Sequence, residues 1–159
     1  MVTRSGIGYD IHRFAKDREL WLGGVKIPSD FGLEGHSDAD VLLHAIADAM
    51  LGAAALGDIG QHFPNTDPQW KGIRSTELLK KVQQMLTVNS YLIVNIDATL
   101  IMEYPKISPH TKEMCEVIAE TLGIENSQVN IKATTNETLG ALGRSEGAAA
   151  LAIVTVQFR

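Results

Sequence analysis

The chain has 159 residues, 45% of them apolar and 21% charged, and a net charge of -5 at neutral pH. This is globular composition in a length that suits one domain, residues 1–159, so a disordered chain and a second large domain are excluded. The acidic balance excludes a broad basic surface for nucleic acid, but not a phosphate ligand, which a metal ion and a few amides or Lys/Arg side chains hold locally.

Residues Gly6 to Phe14 read as a strand. Glu19 to Leu22 and Val25 to Ile27 flank Gly23-Gly24, a hairpin signal. Ser37 is a candidate cap for a helix running to about Leu56, with Val41, Leu42, Ala45, Ile46, Ala49 and Met50 at helical spacing and Gly57 as C-cap. His44 and Asp48 interrupt this apolar stretch, which is too short and too polar to span a bilayer. Met1 to Asp10 carries no apolar run long enough for a signal peptide, so a soluble protein with no membrane partner is expected.

Asp58 to Trp70 reads as an ordered loop. Ser75 to about Val88 is a second helix, with Leu78, Leu79, Val82 and Leu86 inward. Tyr91 to Glu103 alternates, which places Leu92, Val94, Ile96, Ala98, Leu100 and Met102 on one strand face. Ser108-Pro109 opens a third helix that ends at Leu122 before Gly123. The single cysteine, Cys115, lies in that helix as a small buried hydrophobe; no intramolecular disulfide is possible, which suits a reducing cytoplasm. Val129 to Ala133 and Ala148 to Phe158 are strands, the last apolar enough to be covered on both faces. The order predicts an α+β fold, a mixed β-sheet with helices on one face in a two-layer sandwich.

Four constellations carry chemistry. Asp10 and His12, two apart on a strand, share a face as metal ligands do, although an ordinary polar pair has the same spacing. Asp40, His44 and Asp48 recur every four residues on a helix, which suits a metal-bound histidine between carboxylates as well as a solvated face. His36 stands before that helix, where amides favour an anion. Gly57 to Asp67 fits a functional loop or plain turn chemistry. Thr134-Thr135-x-Glu137, followed by Gly140 and Arg144, offers hydroxyls and an acid to phosphates and a hard cation, or else caps a short helical turn.

Together these segments resemble one family. Gly8-Tyr9-Asp10-Ile11-His12, His36-Ser37-Asp38-x-Asp40, Leu56-Gly57-Asp58-Ile59-Gly60, Phe63-Pro64-x-Thr66-Asp67, Pro105-Lys106 and Lys132-Ala133-Thr134-Thr135-x-Glu137 stand in the order of the 2-C-methyl-D-erythritol 2,4-cyclodiphosphate synthases of non-mevalonate isoprenoid biosynthesis. The resemblance covers nearly the whole chain. It implies a lyase that cyclises 4-diphosphocytidyl-2-C-methyl-D-erythritol 2-phosphate and releases CMP. It implies one zinc ion per subunit on Asp10, His12 and His44, and magnesium or manganese on Glu137 with the diphosphate. His36 and Thr135 become the catalytic candidates, with His36 and Ser37 at the 2-phosphate. Asp58, Ile59 and Gly60 fall to the erythritol, and Lys106, Ala133 and Thr134, with Met102, Pro105 and Ile107, to the cytidine. Asp10, His12, Phe63, Asp67, Glu137 and Arg144 complete the implied substrate contacts. A homotrimer with active sites between subunits is also implied.

Two positions depart from the family pattern. Asn65 stands where an acid is frequent, so it receives no charge role, and Ala141 stands where family members can carry an aromatic, which leaves a hydrophobic ligand at the trimer axis an open question. Within enzymes, the competing reading is a metal-dependent phosphoesterase using the same three ligands on water. A non-catalytic binding module and a metal-free domain are the others. Three protein ligands leave a position open, whereas structural metal sites are normally closed by four.

Overall fold

The computed structural model describes residues 2–159. β1 (Thr3–Lys16) extends beyond the predicted strand at both ends. β2 (Leu20–Leu22) and β3 (Val25–Ile27) form the predicted hairpin, with Gly23 and Gly24 both at positive φ. β4 (Phe31–Leu33), too short to announce itself by alternation, pairs with the end of β1. Then follow α1 (Val41–Ala53), α2 (Ile59–His62), α3 (Ser75–Val88), β5 (Tyr91–Ile101), α4 (Thr111–Leu122), β6 (Val129–Thr134), α5 (Gly140–Gly143) and β7 (Gly147–Phe158).

The main sheet has the order β4-β1-β7-β5-β6. β7 lies at its centre, antiparallel to β1 and β5. β6 is parallel to β5, as a strand–helix–strand crossover through α4 allows. The sheet is therefore mixed. α1 packs on β1 and β7, α4 on β6, and α3 against α1 and α4, which gives the expected two-layer α+β sandwich.

Two glycines set the distance between the layers. A Cβ on Gly8 would sit 1.8 Å from the carbonyl oxygen of Ala45, and one on Gly6 would sit 2.1 Å from that of Ala49. The backbone of α1 thus rests on β1 with no side chain between them. α1 is buried almost all round, because the sheet covers one side and α3 part of the other.

Its ends differ from the predicted ones. The N-cap is Asp40, not Ser37, and the helix stops at Ala53 rather than near Leu56. Asp40 wins because its carboxylate serves two elements. It accepts from the Leu43 amide at 3.1 Å and from the Gly23 and Gly24 amides of the hairpin turn at 2.9 and 2.7 Å. Full burial and the nearby Asp38 charge push the Asp40 carboxyl up to about 6, against the pull of those amides. Gly57, at φ +85°, belongs to the following turn; the C-cap is Ala54.

Three further expectations change. Asp58 to Trp70 contains α2 and a 3-10 turn at Pro68–Trp70. Ser108 and Pro109 lie in a separate 3-10 turn, and α4 starts only at Thr111. A β-bulge between Ile93 and Asn95 shifts the phase of β5. Ile93, Ile96, Ala98, Leu100 and Met102 are buried, whereas Val94 is 37% exposed. α3 and its four inward residues match the reading from helical spacing.

From Leu151 onward β7 is covered on one face only within the chain. Ala148, Ala150, Ala152, Val154 and Val156 face the helices, while Leu151 is 40% and Ile153 50% exposed. In register beside them, Ile7 and Tyr9 of β1 are also exposed, and Ile11 follows on the same face. The side of the sheet away from α1 thus carries an exposed apolar band. No helix among the described residues is long and apolar enough to cross a membrane.

Replacing Gly8 by Ala forces α1 away from β1. Urea denaturation of the metal-free variant is expected to show a loss of about 3 kcal/mol, the upper end for overpacking.

Candidate metal centre

The close approach at Gly8 brings the first turn of α1 over the next residues of β1. Asp10 and His12 project to that side, and His44 meets them from the helix. The His44 amide closes the first turn on the Asp40 carbonyl at 3.0 Å, so the cap also fixes where this imidazole starts. Asp10 Oδ2 lies 2.9 Å from His12 Nε2 and 3.1 Å from His44 Nδ1. One donor atom from each residue falls within 4.8 Å of the other two.

The donor set fits a metal ion. His12 Nδ1 lies 2.6 Å from the Glu34 carbonyl oxygen, which can only accept. His12 therefore carries a proton on Nδ1, so Nε2 is the nitrogen whose lone pair would serve a metal. One carboxylate and two imidazoles on one side of a cleft form a three-ligand site with an open position. Burial alone would raise the Asp10 carboxyl, but the hydrogen bonds and charges of His12 and His44 outweigh it and bring it to about 2. Burial likewise opposes charge on His12, yet the hydrogen bond and charge of Asp10, with the Glu34 carbonyl, raise its pKa above the ordinary 6.5.

The cluster lines a cleft of about 490 Å³. His36, Ser37, Ile59, Gly60 and Phe63 line it too, with Thr66, Trp70 and Lys71 opposite. Arg18 holds this entrance by donating to the carbonyls of Gly35 and Ser37, each at 2.9 Å. Met102, Pro105, Lys106 and Ile107 meet Ala133, Thr134 and Thr135 around a second cavity of about 130 Å³, at the adjoining ends of β5 and β6. The predicted site residues thus form two groups on one chain.

Four of them line neither cavity. Asp58 caps α2 through the Gln61 amide, and Asp67 caps the 3-10 turn through the Gln69 amide. Glu137 sits at φ +51° in the turn after β6, and Arg144 pairs with Glu146 at 2.7 Å.

The helical row Asp40, His44, Asp48 does not act as one group. Asp40 is spent on the cap, and Asp48 accepts from the Ile59 amide at 2.8 Å, tying α2 to α1. The partner that the spacing missed is Ser75, fully buried, with Oγ 3.0 Å from His44 Nε2. It comes from α3, and nothing local in sequence links it to His44.

Residues 3–157 match the YgbB family. The chain is 58% identical over 154 residues to the 2-C-methyl-D-erythritol 2,4-cyclodiphosphate synthase of Desulfatibacillum aliphaticivorans, covering 97% of this chain and 99% of that one. It is 59% identical over 153 residues to the synthase of the same name from Alkaliphilus metalliredigens, covering 96% of each. Among solved structures, the bifunctional IspDF of Campylobacter jejuni superposes with a TM-score of 0.96 at 41% identity; the match covers 99% of this chain and 43% of that longer one. A CDP complex of IspF from Plasmodium falciparum gives 0.86 at 33% identity, covering 99% and 97%.

Protons and metal compete for His12 Nε2. Because the pKa of His12 is raised, Zn²⁺ affinity measured by chelator competition is expected to fall on acidification from a pH above 6.5. Asp10 remains ionised down to about pH 2 and does not set that edge.

Proposed function

The chain belongs to the YgbB family, and we propose that it converts 4-diphosphocytidyl-2-C-methyl-D-erythritol 2-phosphate to 2-C-methyl-D-erythritol 2,4-cyclodiphosphate and CMP. The observation that carries this reading is the open Asp10, His12 and His44 cluster in the wall of a cleft. Relatives at 54–59% identity share that activity in their names, and the matches span nearly the whole chain.

The reaction is internal to the substrate. An oxygen of the 2-phosphate bonds to the β-phosphorus, and the bond to the CMP oxygen breaks, its electron pair leaving with CMP. Nucleophile and electrophile arrive together, so the protein's work is to fold the substrate in line and to offset charge. Asp10, His12 and His44 would hold zinc, and Glu137 magnesium or manganese, and these ions would supply Lewis acidity for the diphosphate.

The other residues bind and orient. His36 and Ser37 hold the 2-phosphate end, and His36 and Thr135 stabilise the charge that builds up during transfer. Asp58 hydrogen-bonds the erythritol hydroxyls, Ile59 and Gly60 shape that pocket, and Phe63, Asp67 and Arg144 complete the substrate contacts. Lys106, Ala133 and Thr134, with Met102, Pro105 and Ile107, receive the cytidine. Support comes from the second cavity, lined by these side chains, and from solved relatives described as CDP complexes.

The functional assembly is a homotrimer whose active sites lie between subunits. The apolar band of Ile7, Tyr9, Ile11, Leu151 and Ile153 on the open sheet face supports it. An interface there would also bring the metal cleft of one subunit to the nucleotide pocket of the next. The single cysteine is consistent with a cytoplasmic setting.

Phosphorus NMR of the protein with this substrate, Zn²⁺ and Mg²⁺ is expected to show cyclodiphosphate and CMP. His44→Ala is expected to slow turnover by at least about 100-fold, since it removes a ligand outright. A linear phosphate product would instead establish a phosphoesterase. Light scattering is expected to report a trimer, and Ile153→Asp, which charges the band, to yield monomer.

A further inference from the structure

We propose that Ser75 and Asp38 are positioning residues of the metal centre, a hydroxyl–carboxylate relay that fixes which nitrogen of His44 faces the metal. The proposal rests on the reading of Asp10, His12 and His44 as ligands.

Ser75 is the first residue of α3 and is fully buried. Its hydroxyl bonds to Asp38 Oδ1, while Asp38 Oδ2 accepts from the Ser75 amide at 3.0 Å. Asp38 Oδ1 also accepts from the Asp40 amide at 3.2 Å. An ionised carboxylate only accepts, so the one hydroxyl proton of Ser75 points to Asp38. What Ser75 then presents to His44 Nε2, 3.0 Å away, is a lone pair. Nε2 therefore carries a proton, and with a metal bound the Nδ1 lone pair would be left to the ion beside Asp10. Ser37 Oγ lies 3.4 Å from the same Nε2 and takes the Ala39 amide at 3.1 Å, a longer second contact.

His12 shows the same logic with the nitrogens exchanged. Its Nδ1–H donates to the Glu34 carbonyl, and Nε2 is left for the cluster. The two imidazoles are thus set in opposite tautomers by partners behind them, the usual means of orienting a metal-bound histidine. The relay also draws on three elements: α3 supplies Ser75, the segment before α1 supplies Asp38, and α1 supplies His44. Metal affinity is thereby tied to how α3 sits on α1.

The test measures Zn²⁺ affinity by chelator competition in wild type, His44→Ala and Ser75→Ala, with long-range proton–nitrogen spectra of the imidazoles. Ser75→Ala is expected to bind Zn²⁺ 10- to 100-fold more weakly at unchanged stoichiometry. Zinc-loaded wild type is expected to show the His44 proton on Nε2 and the metal shift on Nδ1. Equal affinity in wild type and Ser75→Ala would overturn the relay, as would a wild-type spectrum with metal on Nε2, which decides the matter even if the variant does not fold. Wild type that binds no more zinc than His44→Ala would overturn the ligand reading itself, and the relay with it.

Discussion

The contact between α1 and β1 at Gly6 and Gly8 governs the rest of the molecule. Helix backbone lies directly on strand backbone, with the carbonyls of Ala45 and Ala49 where side chains would otherwise stand. Any larger residue at Gly8 would lift the helix, and His44 with it. The three-ligand cluster needs contacts near 3 Å between a strand carboxylate and a helix imidazole. The missing Cβ atoms set the spacing of the layers at which these two side chains meet. The glycines therefore act on the site through packing, Gly8 two positions and Gly6 four positions before Asp10.

A second constraint is the allocation of carboxylates in a crowded segment. Asp38 and Asp40 lie close enough for the charge of the one to raise the pKa of the other. Each is satisfied by amides from a different element, Asp38 by the start of α3 and Asp40 by the hairpin turn and α1. Buried charge is costly unless it is hydrogen-bonded. Here those bonds are the joints between elements, so the same residues that cost desolvation specify how hairpin, α1 and α3 meet. This is why Asp40 can be fully buried and Asp38 half-buried beside it.

Much of this was legible in the sequence, for identifiable reasons. α3 declares itself by apolar residues three and four apart, and the hairpin by paired glycines; both depend only on neighbours in sequence. The pair Asp10 and His12 follows from strand periodicity, once β1 is placed. What was hidden depends on distant partners. Ser37 and Asp40 are equally good caps in isolation, and only the Gly23 and Gly24 amides select Asp40. The bulge in β5 moves Val94 outward without changing the apolar pattern. Ser75 looks like an ordinary helix-start serine until α3 is docked on α1, and its bond to His44 spans 31 positions.

The arrangement of the two cavities bears on the proposed chemistry. Along one row of the sheet, Asp10 pairs with Ala150, Ala150 with Leu100, and Leu100 with Ala133. At about 4.8 Å per strand, Asp10 and the second cavity stand about 14 Å apart along that row. The two middle residues, Ala150 and Leu100, are fully buried in the core, so the row between the two ends is a wall and not a channel. A substrate with a nucleotide at one end and a phosphorylated sugar alcohol at the other cannot lie through it. Joining the two groups requires a path around the molecule or across to a second copy. The apolar band on the open sheet face favours the second copy, because burying it and completing the site would then be the same event. On this reading trimerisation is part of catalysis, and a monomer would keep its metal ligands while losing the partner surface that receives the nucleotide.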